Sequence, residues 1–141
     1  MFSDDRNTLR KMFFDVWGKF KAEQALEPLE QLILQIMQLH PEYHTILDDP
    51  ANLDNDYTVD MGQTNPFLHM SMHIAIQEQL GTQRPAGIKS IYETLCRKYD
   101  DAHEAEHQMM ECMGKMMWEA QRNNTLPDDN LYIECLNGLL G

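Results

Sequence analysis

Residues 101–122 read Asp-Ala-His-Glu-Ala-Glu-His-Gln-Met-Met-Glu-Cys-Met-Gly-Lys-Met-Met-Trp-Glu-Ala-Gln-Arg, and this stretch decides the fold. Asp100 or Asp101 stands where a helix N-cap is wanted. Met109, Met110, Met113, Met116 and Met117 recur at three- and four-residue steps, the period of an amphipathic helix. The spacing predicts one long helix over Ala102 to about Arg122. The methionines read as core filler, since a flexible thioether packs irregular gaps well.

The same punctuation recurs on both sides. Leu9, Met12, Phe13, Val16 and Phe20 predict a first helix to about Gln24, capped by Ser3. Pro28 suits a first helical turn and opens a second helix through Leu39. Pro41 disfavours helical geometry at His40, ends that helix and opens a short third one through Leu47. Asp48 to Thr64 has no helical period and reads as a long loop. Asn65-Pro66 is a cap followed by a first-turn proline, and predicts a fourth helix from Phe67 to about Leu80, stopping at Gly81. Ser71 and Glu78 mark its polar face. Pro85 opens a fifth helix, and Pro127 precedes a last one, Leu131 to about Leu139. No alternating strand, internal repeat or low-complexity tract is present. The expectation is an all-α, single-domain bundle over residues 1–141, of about six or seven helices with the fourth and sixth central.

Composition narrows the function classes. The chain has 141 residues and a formal charge of −12, a surface that repels phosphate, so neither nucleic acid nor an anionic membrane is an expected partner. No apolar run approaches the length that spans a bilayer. The polar N-terminus lacks the pattern of a secretory signal. Cys96, Cys112 and Cys135 are an odd, sparse set that reads as three structural thiols in a reducing cytoplasm.

The chemistry lies in the histidines. All six, at 40, 44, 69, 73, 103 and 107, fall into three pairs four residues apart. Random placement would give about a quarter of one such pair. Residues four apart share a helix face, so two imidazoles can reach one ion, as in helical zinc and iron sites. His69 and His73 are expected to point inward from the fourth helix, and His103 and His107 to stand at the margin of the methionine stripe. Glu104 or Glu111 would add a carboxylate, while Glu106 reads as solvated. His40 and His44 straddle a helix boundary and are outer members. The expected cofactor is a divalent ion, zinc or iron, because imidazole suits both.

His103-Glu104-x-x-His107 matches H-E-x-x-H, but zinc peptidases of that motif hold substrate along a strand edge, and none is expected. Read as Glu104-x-x-His107, it matches half of a carboxylate-bridged di-metal site; no second half is present, because Ile76 stands three residues after His73. The competing reading is a non-enzymatic acidic adaptor with structural histidines, meeting a protein partner or a second copy through the long loop or the aromatic first helix. Nitrogens of the two central pairs more than about 6 Å apart would favour it.

Several segments carry a resemblance: Asp4-Asp5-Arg6, His40-Pro41-Glu42-Tyr43-His44, Gly62-Gln63-Thr64-Asn65-Pro66-Phe67-Leu68-His69, Arg84-Pro85-Ala86-Gly87-Ile88, Asp101 to His107, and Trp118-Glu119-Ala120-Gln121-Arg122. The chain resembles an uncharacterised proteobacterial family, domain of unknown function eighteen forty-one. The resemblance implies a small bacterial cytosolic protein. It brings no reaction, cofactor or partner.

Overall fold

Caps and helix breakers set the architecture. The computed structural model describes residues 6–54 and 65–140, and among these lie seven α-helices: α1 (Arg6–Lys21), α2 (Pro28–Gln38), α3 (His44–Leu47), α4 (Pro66–Thr82), α5 (Ile88–Tyr99), α6 (Ala102–Arg122) and α7 (Asp129–Leu140). No strand occurs among the described residues, so the fold is all-α. Asn65 Oδ1 accepts the Phe67 and Leu68 amides at 3.0 and 3.1 Å, and Asp101 Oδ1 accepts the His103 amide at 3.0 Å. Both satisfy N–H groups that a helix start leaves orphaned.

Helix ends depart from the sequence reading at α1, which stops at Lys21, and at α4, which runs to Thr82, whereas α6 stops at Arg122 as expected. Three of them close in the same way, with a non-glycine residue in the left-handed region: Glu23 (φ 57°), Gln83 (φ 54°) and Asn124 (φ 53°). In each the following amide reaches back five residues, Gln24 to Lys19, Arg84 to Gln79 and Thr125 to Ala120, the Schellman closure usually made by glycine. The fourth helix therefore runs through Gly81 instead of stopping there. The fifth starts at Ile88, not Pro85, behind Gly87 at φ +86°. The expected long loop begins with a 3₁₀ turn, Pro50–Asp54; its remaining residues, like the Ser3 cap, lie outside the described ones.

The chain divides into two compact units, 1–74 and 75–141, with the division inside α4. In the first, Phe13, Val16 and Trp17 of α1 pack with Ile33, Ile36 and Met37 of α2, Leu47, and Phe67, Met70 and Ile74 of α4. Arg10 is buried in the same unit. Its guanidinium donates to the Leu53 carbonyl at 3.0 Å and lies 4.7 Å from the centre of the Phe67 ring. Asn52 Nδ2 donates to the Ile46 carbonyl and Trp17 Nε1 to Asp48. These bonds satisfy the start of the supposed loop from the helical core.

In the second unit α5, α6 and α7 pack against one another. Ile88 and Leu95, Met109 and Met113, and Tyr132 and Leu136 are buried, so the methionine stripe is core. The Tyr132 hydroxyl donates to Gln79 Oε1 at 2.8 Å. Cys112 on α6 and Cys135 on α7 form a disulfide, with Cα atoms 5.7 Å apart. This corrects the reading of three thiols: the two cysteines lie on helices that pack side by side, which spacing along the chain does not reveal. Cys96 is free.

Candidate metal centre

His40 owes its place to the proline that follows it. Held out of helical geometry at φ −126°, ψ 67°, it leaves the Ile36 carbonyl without the next amide of the α2 ladder. Its own ring replaces that amide, Nδ1 donating to the Ile36 oxygen at 2.7 Å. A carbonyl only accepts, so the proton is on Nδ1 and the neutral ring carries its lone pair on Nε2. A metal-ligating histidine is commonly oriented in this way, by giving its other N–H to a carbonyl.

Two α4 rings share its neighbourhood. The His40, His69 and His73 ring centres are mutually 4.9 Å apart, and His40 and His73 are buried. His69 Nε2 and His73 Nε2 are separated by 3.3 Å. Two nitrogens on one tetrahedral ion at 2.0–2.1 Å would be about 3.3–3.4 Å apart. With no ion, the same distance suits an N–H···N hydrogen bond with one ring protonated at Nε2. Burial extends to Ser71, which corrects its expected place on a polar face.

His44 is placed differently. Its Nε2 donates to the Met37 carbonyl at 2.9 Å, and its ring centre lies 4.6 Å from that of Trp17. The helix boundary splits the His40/His44 pair, and each ring takes a separate carbonyl. Tyr43, which the sequence reading passed over as a site residue, stacks on His40 at 5.4 Å and 7°. Burial holds its hydroxyl pKa above the ordinary tyrosine value, with the Glu42 charge adding to the shift. Its place between two histidines in His-Pro-Glu-Tyr-His was the available signal.

On α6 the two rings stand edge to face with centres 4.2 Å apart. Glu104 Oε2 is 3.8 Å from His107 Nδ1, beyond hydrogen-bond reach; its other oxygen accepts from Gln108 at 2.9 Å. Glu111 is exposed. Glu106, read as solvated, is instead buried. Desolvation raises the Tyr92 hydroxyl pKa strongly, helped by its hydrogen bond with Cys96 and by the Glu106 charge.

The fold and site define an all-helical protein whose first unit brings His40, His69 and His73 together, and no helix among the described residues is long and apolar enough to cross a membrane. The chain belongs to the family described as a domain of unknown function, DUF1841, whose model matches residues 5–138. No curated protein and no solved structure matches it.

Proposed function

We propose that the protein binds one divalent transition-metal ion, zinc or iron, through His40, His69 and His73 of the first unit. The observation that carries this reading is that the three ring centres lie mutually 4.9 Å apart, with the Nε2 atoms of His69 and His73 separated by 3.3 Å, the spacing of two nitrogens on one tetrahedral ion. Two features of single rings support it. His40 is fixed in the tautomer that carries its lone pair on Nε2, and His73 is wholly buried. A set of imidazole nitrogens without thiolate suits zinc or iron. Glu104 and Glu111 have no place in the ligand set, and His44 serves the first unit's packing.

Metal analysis of protein purified without an affinity tag tests the reading. The expected result is one zinc or iron per chain, or stoichiometric uptake of either by the stripped protein. A metal-free protein that takes up neither ion overturns it.

A further inference from the structure

The second unit carries a histidine pair that the first unit's site does not use. His103 and His107 stand one turn apart on α6, where residues four apart share a helix face. Their rings are edge to face with centres 4.2 Å apart, and each offers a ring nitrogen within 4.8 Å of the other's. Both residues are half-buried, so solvent reaches the two rings. Around them the charge is of one sign. From Asp100 to Glu111 the chain has five carboxylates, those of Asp100, Asp101, Glu104, Glu106 and Glu111, and no lysine or arginine. Their field attracts a dication and offsets the positive end of the α6 dipole, which alone would repel one. Glu104 Oε2 stands 3.8 Å from His107 Nδ1, on the side from which a carboxylate orients a ligating imidazole.

We propose that His103 and His107 chelate a divalent zinc ion of their own, through one ring nitrogen each, with water in the remaining positions. Imidazole is a donor that suits zinc. Two protein nitrogens hold this ion where three hold the first unit's, so it fills at higher zinc and exchanges with solvent. Glu104 is a positioning residue here: it holds the His107 ring and is not a ligand. The proposal stands on residues of the second unit alone and does not rest on the His40, His69 and His73 site.

The test uses the full chain without an affinity tag, stripped by chelator and titrated with zinc sulfate, the bound zinc being counted after ultrafiltration. Wild type is expected to fill in two steps. His107→Ala should lose the weaker step and keep the tighter one, and His73→Ala should do the reverse. A second measurement needs no variant. Acylation by diethylpyrocarbonate, mapped by peptide mass, should be lost at His103 and His107 together, and only as the weaker step fills. One wild-type step that His107→Ala removes and His73→Ala keeps refutes the first unit's site and supports this one. A weaker step that survives His107→Ala, a single step that His73→Ala abolishes, or acylation of His103 and His107 that is equal in saturating zinc and in chelator overturns the proposal.

Discussion

Replacing His73 by alanine separates a metal ligand from a merely buried histidine. The ring is fully buried, packs at 4.9 Å on both His40 and His69, and has its Nε2 3.3 Å from that of His69. Truncating such a side chain costs about 2–4 kcal/mol in lost packing and hydrogen bonding, with or without metal. The metal contribution is a separate quantity. At free zinc 100-fold above its dissociation constant, binding stabilises the native state by about 2.7 kcal/mol. For a chain of this size that is a rise of roughly 10 °C in melting temperature. Thermal melts in zinc and in chelator read the two quantities independently. Wild type should show the full difference and His73→Ala none, on top of its lower baseline. His44→Ala gives up the Met37 carbonyl bond and the Trp17 contact, about 1–2 kcal/mol, yet should keep the whole zinc-dependent difference. A His73→Ala protein with an undiminished zinc response, or a His44→Ala protein without one, refutes the assignment.

Four further outcomes are expected. Tyr132→Phe removes the buried bond to Gln79 Oε1 and should cost about 1–2 kcal/mol; in denaturant titrations the cost of Gln79→Leu should shrink in that background, and strict additivity would show that the two groups are not coupled. Lys21 first, and the Trp17 indole second, hold the Asp48 carboxyl below its ordinary value of 3.8, so its contribution is complete above that pH and is lost as pH falls through the lower folded-state value; Trp17 fluorescence in a Trp118→Phe background should show this acid limb, and Asp48→Asn should lack it. Glu23→Gly and Gln83→Gly relieve left-handed backbone at φ 57° and 54° and should each stabilise by about 0.5–1 kcal/mol, read as a higher denaturation midpoint. Pro41→Ala lets the backbone amide of His40 compete for the Ile36 carbonyl, and should weaken zinc binding roughly tenfold while leaving Trp17 fluorescence unchanged.

The helices were legible because their information is local. Asn65-Pro66 names its own start, Asp100-Asp101 narrows that of α6 to two residues, and the methionine spacing of α6 names its buried face. The ends of α1 and α4 were harder to read, because glutamate and glutamine close them in the position where glycine is the usual signal. Chain partners distant in sequence were invisible for a different reason. Nothing around Arg10 announces that the Leu53 carbonyl will receive it, 43 residues away, and the disulfide joins cysteines 23 residues apart on separate helices. The polar face assigned to α4 failed at Ser71. A hydroxyl is small enough to be buried, so one serine is weak evidence of exposure.

The His40/His44 pair explains why spacing pointed to the histidines without ranking them. An i,i+4 pair implies a shared face only while the helix continues, and Pro41 interrupts it. The interruption fixes the tautomer that the proposed ligand role of His40 requires. An uninterrupted α2 would have spent the Ile36 carbonyl on a backbone amide, leaving the ring to choose either tautomer. By breaking the ladder there, the proline gives Nδ1 an acceptor 2.7 Å away, and with it one defined lone pair on Nε2. His44, back in helical geometry, spends its own Nε2 proton on Met37 and packs tilted against Trp17. A ligating histidine is oriented by the partner of its other nitrogen, and a proline after a histidine supplies such a partner by freeing a carbonyl one turn back.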